Sequence, residues 1–364
     1  MFSVNDKISV RQLQALLLLE VLGTGVLILP RTASGFAGQD GWLVIIAATA
    51  LAAVCAFVLA SAGRLFPSES FVSGAGKILS RPVAVLIALG FLVKIIALSA
   101  MELRILGETV RITMLRDTPY AVVCAAMLFA AGCAAVKGCE TRARLAQILV
   151  VLAFVPLVLI FFIGAFDVDF TNLMPVLVTP PEDIMNGGLY SLRAFRGIEF
   201  ILLIFPFVAN PRRVRSGAVQ AVFVIGCLML FITVITIAKF GPTDIARQMW
   251  PTLQMMDSIT LPGAFIERQD ALIMSFWIIS VFAVTNASLF FAAVLLKSMF
   301  KSIKSSRFII AVGVIIFGLS FVPENISQVY AVMDYILTFG IIYMFVVPVL
   351  MLVIARLRGV GERL

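Results

Sequence analysis

Ten long apolar runs recur along the chain and restrict it to one class of architecture. Hydrophobic residues make up 62% of the 364 residues and charged residues only 13%. A run of about 20 apolar residues can cross a bilayer as a helix. The runs are continuous rather than alternating, so they predict helices and not the strands of an outer-membrane barrel. We therefore predict an all-α polytopic membrane protein, a single integral membrane domain over residues 1–364. The predicted spans are Ser9–Gly35, Gly41–Gly63, Pro82–Val110, Pro119–Val136, Arg144–Phe166, Gly187–Val208, Gly217–Phe240, Ala271–Met299, Phe308–Val322 and Ser327–Arg356.

The distribution of basic residues predicts how these spans are oriented. Most of the 28 lysines and arginines fall in segments that would be cytoplasmic if the N-terminus were inside, Arg142 among them. Cytoplasmic loops of membrane proteins carry an excess of Lys and Arg. We therefore predict that both termini are cytoplasmic.

The first span contains a break near its middle. Gly23-Thr24-Gly25 interrupts the apolar residues, and glycine is poorly suited to a continuous helix. Unwound backbone at membrane depth is tolerated only where protein or a polar cavity satisfies its N–H and C=O groups. This stretch predicts a discontinuous helix at a binding site. The alternative is close helix–helix packing through small residues.

The sixth span repeats this feature half a chain away. It places charged residues and Gly197 inside an apolar run, and five spans precede this second break. Two repeats of five spans, about residues 9–166 and 187–356, must be inverted in the membrane because five is an odd number. Broken helices at matching positions of inverted repeats are typical of a binding site near the bilayer midplane.

Charged residues inside the spans need partners, because burying each one costs at least about 2.5–3.5 kcal/mol on insertion scales. Arg196 and Glu199 are three positions apart and would touch if this segment were helical. A ligand or water pathway and an ion-pair network that only fixes helix register both remain open. The other ionisable residues predicted to be buried are Glu20, Lys94, Glu102, Arg193 and Asp334.

Short motifs spread over the whole chain resemble one protein family. No single motif is diagnostic, but their order, spacing and coverage are specific. They are Lys7-Ile8-Ser9 with Gln12, Gly23-Thr24-Gly25 with Leu29-Pro30-Arg31, Asp40-Gly41-Trp42, Glu102 with Arg104 and Glu108, Phe195 with Gly197 and Glu199, Trp250-Pro251-Thr252, Phe265-Ile266-Glu267-Arg268, Trp277-Ile278-Ile279, and Asp334-Tyr335. With these motifs the chain resembles the spore germination permeases, the B subunits of nutrient germinant receptors in endospore-forming bacteria, which belong to the amino acid–polyamine–organocation superfamily.

The resemblance implies a fold, a location and partners. The fold would be the leucine-transporter-like arrangement of ten transmembrane helices in a 5+5 inverted repeat, with helices 1 and 6 discontinuous. The protein would lie in the inner membrane of the spore. It would bind a small-molecule germinant such as an amino acid, a sugar or a nucleoside, and act with the A and C subunits of the receptor. Neither a cofactor nor a nucleic acid is implied.

The resemblance also implies a pocket between helices 1 and 6, bordered by helices 3 and 8. Lys94 and Arg196 stand where the family's amino-acid sensors have uncharged or apolar residues. Either the ligand carries additional negative charge, or Glu199 and Glu102 neutralise the two cations. The implied pocket residues are Gly23, Thr24, Gly25, Lys94, Leu98, Phe195, Arg196, Gly197, Glu199, Val284, Thr285 and Ser288.

Three functions are compatible with this fold, and fold alone does not choose between them. They are a ligand-sensing receptor subunit, a proton- or sodium-coupled transporter, and a ligand-gated water or ion pathway. Thr285 and Ser288 could supply hydroxyls to a sodium site, and Glu20, Glu102 or Glu199 could carry a proton. We expect no enzyme, because the sequence shows no nucleophile–base set and no P-loop. It contains no histidine, and its cysteines lack metal-binding spacing, so we predict no metal site.

Overall fold

The computed structural model describes residues 6–23, 25–258, 269–300 and 303–360, and these residues are mostly helical. The predicted polytopic helical class is confirmed. The helices are α1 (Val10–Val21), α2 (Gly25–Ala37), α3 (Gly41–Gly63), α4 (Phe71–Ile78), α5 (Arg81–Thr113), α6 (Tyr120–Ala135), α7 (Cys139–Gly164), α8 (Pro181–Ser191), α9 (Ile201–Ile204), α10 (Val214–Ile245), α11 (Pro251–Asp257), α12 (Gln269–Met299), α13 (Ser305–Ser320), α14 (Ile326–Ile341) and α15 (Val347–Arg358).

Within the described residues, six helical segments are long and apolar enough to cross a membrane. Three shorter apolar segments, Tyr120–Ala135, Ile198–Phe207 and Ser305–Ser320, accompany them. Large apolar side chains are exposed on the outward faces, such as Leu86 and Phe129. This is the surface expected where lipid, and not water, surrounds the protein. The long segments are Gly25–Gly63, Arg81–Thr113, Cys139–Gly164, Pro211–Ile245, Met274–Met299 and Ile326–Arg358.

The predicted boundaries need correction at the sixth span, which begins at Pro181 and not at Gly187. The polar residues before Gly187 are exposed, so their composition concealed the start of the helix. Proline is favoured in the first turn of a helix, where its missing N–H costs nothing. Glu182 and Asp183 also lie in that first turn, where the helix dipole stabilises negative charge.

Two short helices, α4 and α11, pack onto the bundle in connections between the predicted spans. In the connection Phe66–Ser80, α4 begins after Ser70, whose hydroxyl accepts from the Ser73 N–H. In the connection Gly241–Asp270, α11 is almost fully buried, and the Thr252 hydroxyl donates to the Val26 carbonyl at 2.9 Å. This last contact ties α11 to the helix that follows the first break. The motif at positions 265–268 lies outside the described residues.

The start of the first span is bound to the end of the sixth. Ser9 and Gln12 form a reciprocal capping box at the N-terminus of α1, a known stabiliser of helix starts. Just before it, the Ile8 N–H donates to the Phe207 carbonyl at 2.7 Å, and the Ile8 carbonyl accepts from the Ala209 N–H at 2.9 Å. These backbone hydrogen bonds hold the two broken spans together at one face of the protein.

Asp40 anchors the long connection that precedes α8. Its side chain is fully buried between α2 and α3. It accepts backbone N–H bonds from Leu177 at 2.8 Å, Val178 at 2.9 Å and Thr179 at 3.0 Å. A carboxylate that receives several N–H donors can remain charged in a buried place. The acidic residue of the Asp40-Gly41-Trp42 motif therefore has a structural role.

We predict that Asp40→Ala destabilises the protein by about 3 kcal/mol or more, because hydrogen bonds to a charged group contribute roughly 1.5–3 kcal/mol each and the orphaned donors stay buried. Thermal unfolding of the detergent-purified protein measures this. The control is Asp183→Asn, at an exposed position in the first turn of α8. Equal melting temperatures for the two variants would contradict the anchoring role.

Candidate functional site

The first break divides the first span into α1 and α2, as predicted. The α1 helix ends at Val21, and the Leu22 N–H still bonds to the Leu18 carbonyl at 3.2 Å. The chain resumes a helix at Gly25, and the Val26 N–H donates to the Gly23 carbonyl at 3.3 Å. Thr24, which belongs to the implied pocket, lies outside the described residues.

The second break lies at Arg196–Gly197. A 3-10 turn over Leu192–Phe195 ends where Arg196 becomes extended, with ψ of 150°. Gly197 then adopts φ of 96°, a left-handed conformation that side-chain-bearing residues rarely accept. The Gly197 N–H is satisfied by the Glu199 carboxylate at 2.9 Å. The second break is therefore real, and a carboxylate inside the span satisfies its exposed backbone.

Two buried ion pairs connect the second break to α5. Arg196 pairs with Glu102, and Lys94 pairs with Glu199. All four side chains are at most 3% exposed. The condition for a contact between Arg196 and Glu199, a helical segment, is not met because Gly197 has a left-handed backbone, and the two side chains pair with Glu102 and Lys94 instead. Of the two explanations for the basic residues, neutralisation by Glu199 and Glu102 is the one observed.

The Arg196 guanidinium fills the space beside the first break. A Cβ at Gly23 would lie 2.5 Å from Arg196 Nη2 and 3.3 Å from Glu102 Oε1. By contrast, a Cβ at Gly25 would be 3.5 Å from its nearest neighbour, the Ala194 Cα, which is ordinary contact. Of these two positions, only position 23 requires a glycine, because only there would a Cβ come too close to a neighbouring side chain. The two breaks therefore meet through a side chain of one and the bare backbone of the other.

Glu20 completes the contact between the broken helices. It lies on α1, is 7% exposed, and its side chain occupies the position that a Cβ at Gly197 would take. The charged residues that act on it electrostatically are Arg142, Arg196, Glu102 and Glu199. Both pairs and Glu20 thus form one buried charged cluster at the crossing of the first, third and sixth spans.

Arg142 is the functional candidate that the sequence analysis missed. Its side chain is buried and not in a cytoplasmic loop, because α7 begins at Cys139, five residues before the predicted span. Its Nε donates to Asn286 Oδ1 at 2.5 Å, and its guanidinium lies 4.8 Å from the Phe290 ring centroid. Together with Glu20 it lines a cavity of about 10 Å³. The one sequence signal of this early start is Gly138, a glycine directly before the helix, which adopts a positive φ in the structure.

Arg193 and Asp334 form a separate pair at the start of the second break. Arg193 is buried as predicted, but the Asp334 side chain is 52% exposed, so the predicted burial of Asp334 is wrong. Arg193 Nη1 donates to Asp334 Oδ1 at 2.7 Å and to the Thr338 hydroxyl at 2.8 Å. The Tyr190 hydroxyl donates to the same Asp334 oxygen at 3.0 Å. This pair joins α8 to α14 and does not enter the cluster around Arg196.

The remaining pocket residues implied by the resemblance, on α5, before the second break and on α12, are also buried. Leu98 lies one turn after Lys94 on α5, and Phe195 precedes the second break with no exposed surface. On α12, Val284, Thr285 and Ser288 are buried, and the Thr285 hydroxyl donates to the Val281 carbonyl of its own helix at 2.8 Å. That hydroxyl is therefore already engaged within its helix.

The arrangement is closed around the ion pairs. The cavity that touches the first break measures only about 40 Å³ and is lined by Leu22, Val26 and Leu27 together with residues of α7, α11 and α12. One water needs roughly 10–15 Å³ of such a cavity, so this one has room for a few waters, and a small organic ligand would enter only if the lining side chains moved. No cluster of three metal-ligating His, Cys, Asp or Glu residues occurs in the part of the chain that the structure describes.

Comparisons with known proteins agree on one family. The family profile described as "Spore germination protein" matches residues 7–329. Spore germination protein YndE of Bacillus subtilis (strain 168) is 25% identical over 100% of both chains. Spore germination protein A2 of the same organism is 27% identical and covers 93% of this chain and 92% of its own. Spore germination protein B2 is 26% identical, with 85% coverage of each.

Among the solved structures that share the fold is Mhp1, a nucleobase-cation-symport-1 family transporter in a closed conformation with bromovinylhydantoin bound. Its TM-score is 0.64 over 95% of this chain and 77% of that one, at 14% identity. A likeness at this identity concerns the fold alone. The predicted leucine-transporter-like class, with discontinuous helices 1 and 6, is confirmed.

We predict that Gly197→Ala destabilises the protein by about 2 kcal/mol or more. A left-handed backbone costs a side-chain-bearing residue roughly 1–2 kcal/mol, and the new methyl group would also displace Glu20. The control is Gly132→Ala on α6, where a Cβ meets nothing within 4 Å. Thermal unfolding in detergent compares them, and a Gly197→Ala variant as stable as the control would argue against this backbone geometry.

We also predict that Arg196→Leu lowers stability by about 3–5 kcal/mol, because it removes one member of a buried ion pair. Adding Glu102→Leu to the same protein should restore much of the loss, since replacement of both partners by apolar groups is often neutral. Lys239→Leu, in an ion pair whose aspartate is 83% exposed, should change stability by at most about 1 kcal/mol. A double-mutant cycle without positive coupling between positions 102 and 196 would contradict the pairing.

Proposed function

The chain belongs to the spore germination protein family, and on this premise we propose that it is the membrane subunit of a nutrient germinant receptor. In this proposal it binds a small germinant, an amino acid or a similar solute, between the broken helices 1 and 6. Binding then triggers germination without chemical change of the ligand.

The observation that carries the proposal is the meeting of the two breaks at one buried charged cluster. Arg196 presses against the bare backbone of Gly23, and Glu199 satisfies the Gly197 N–H. Neither arrangement is needed to span a membrane, and each buried charge is expensive. Ionisable groups inside a membrane domain usually mark a functional path or site.

The charges favour a ligand that carries both signs. A zwitterion could exchange with the existing pairs, its carboxylate facing Arg196 or Lys94 and its ammonium facing Glu102 or Glu199. Such an exchange leaves no buried charge alone, which is the costly outcome. It also requires Arg196 to leave the Gly23 backbone, so binding would be coupled to movement of the sixth span against the first. That coupling supplies a mechanical signal.

The proposal extends to location and partners. Several relatives are named spore germination proteins, which supports a place in the inner membrane of the spore, with both termini cytoplasmic. The partners would be the A and C subunits of the receptor, while the lipid bilayer surrounds the apolar outer faces. Nucleic acid has no role in this proposal.

The test neutralises one ion pair without changing its shape. Spores that carry Lys94→Met together with Glu199→Gln should assemble the receptor at normal abundance but respond to their germinant with at least a tenfold shift in effective concentration. The matched control is Lys239→Met with Asp167→Asn, an ion pair outside the cluster. Germination is followed by the fall in optical density, and subunit abundance by immunoblotting. An unchanged dose response of the cluster variant would overturn the proposed site.

A coupled transporter is the second candidate, because the fold neighbour is itself a transporter. Purified protein in liposomes separates the two functions. Accumulation of an amino acid that requires a proton or sodium gradient would favour the transporter. Ligand-dependent stabilisation without accumulation would favour the receptor subunit, and a ligand-induced ion or water flux would favour the gated pathway.

A further inference from the structure

A large open cavity lies beyond the first break, at the opposite end of the first span from the N-terminus. It measures about 730 Å³, much more than the cavity at the first break. Its walls come from α2, α8 and α14, with one residue, Met249, from the connection before α11. In the predicted topology this cavity opens to the outer side. We call it the outer vestibule; Arg31, Gly35, Phe36, Tyr190 and Tyr330 are the lining residues that matter here.

Arg31 is the charged residue that lines this vestibule. It is exposed and makes no hydrogen bond or ion pair within the described ranges. Among the residues that the structure describes, the carboxylates that act electrostatically on Tyr190 and Tyr330 are already engaged. Asp334 is held by Arg193 and the Tyr190 hydroxyl, and Glu102 is held by Arg196. The guanidinium of Arg31 therefore gives the vestibule a positive charge.

Aromatic rings lie on all three helical walls of the same vestibule. Phe36 and Tyr190 form a tilted pair with centroids 5.4 Å apart, and Arg193 lies 3.4 Å from the centroid of the Tyr190 ring. Tyr330 is fixed by its hydroxyl, which accepts from Trp250 Nε1 at 2.7 Å. These contacts hold the rings in place before any ligand arrives, and such preorganisation lowers the cost of binding.

We propose that the outer vestibule is a second ligand site, for small monocarboxylates with an aromatic or aliphatic body. A guanidinium binds a carboxylate with two parallel hydrogen bonds, and the fixed rings offer an apolar surface to the rest of the molecule. The cavity volume falls in the range of roughly 300–1,000 Å³ that is typical of ligand pockets. This site is distinct from the one between the breaks, where ion pairs of both signs suit a zwitterion.

The vestibule is close enough to the cluster for the two sites to influence each other. The charged residues that act electrostatically on Tyr330 are Glu102 and Arg31. Tyr330 is therefore within electrostatic reach of both the cation of the vestibule and the buried pair of the second break. A carboxylate bound at Arg31 would cancel the positive charge that Arg31 contributes. Occupation of the outer site would therefore change the electrostatic potential at the inner site.

The test uses benzoate, benzyl alcohol and benzylamine, which share a ring and differ in charge. Titration calorimetry on the full chain in phosphatidylcholine nanodiscs should show saturable binding of benzoate, at least tenfold tighter than the alcohol or the amine. Arg31→Gln should weaken benzoate about 10- to 100-fold, the range expected for a hydrogen-bonded charge, and Arg31→Lys should retain part of the affinity. Higher salt should weaken binding, because Arg31 is exposed.

Two further variants keep the test decisive. Gly35→Trp should abolish benzoate binding by filling the vestibule, and its backbone is tolerant because a Cβ at Gly35 meets nothing within 4 Å. Arg116→Gln removes the same charge from an exposed position in the connection after α5 and should leave binding unchanged. The proposal is overturned if benzoate does not bind the native chain, or if Arg31→Gln and Gly35→Trp bind it normally. Either result leaves the site between the breaks standing, because that site is tested separately with spore germinants.

Discussion

The two ion pairs between α5 and the second break are the interaction on which the rest of this structure depends. Each of the four charges would be costly alone in a membrane, and each is accepted because its partner comes from another helix. The pairs fix how the sixth span crosses the third. They also place the Arg196 guanidinium against Gly23, which brings the first break to the same point. Removing the pairing would remove the reason for both breaks to coincide.

Both backbone conformation and side-chain contacts stabilise these breaks. At Gly197 the left-handed turn frees an N–H that Glu199 accepts, while Glu20 covers the glycine from the first span. A second layer of contacts lies around this centre. Ile8 ties the first span to the end of the sixth, and Asp40 ties the connection before α8 to the second span. The hydrogen bonds of Ile8 and Asp40 thus hold the edges of the core, and the buried charges lie where the first, third and sixth spans cross. In this arrangement a small displacement of a side chain would change which ions are paired.

Much of the fold could be read from the chain itself. Apolar runs of membrane length, glycines inside two of them and their half-chain separation specify a polytopic bundle with discontinuous helices 1 and 6. The burial of Lys94, Glu102, Arg196 and Glu199 also followed from their places inside apolar runs, whereas the same argument failed for Asp334, whose side chain is exposed. The Arg142 position did not follow. A basic residue beside a helix start looks like a loop cation, and only its packing against Asn286 and Phe290 shows otherwise.

What the sequence by itself determined is the set of helices, the two interruptions and the presence of buried charges, since these depend on local composition and on the length needed to cross a bilayer. Which charge meets which partner was decided only by tertiary structure. Spacing along the chain permitted a contact between Arg196 and Glu199 in a helical segment. The turn at Gly197 directs the two side chains apart, and they pair with Glu102 and Lys94 on α5. The outer vestibule is likewise a property of three helices at once, because its cation and its rings come from segments up to about three hundred residues apart that no local pattern connects.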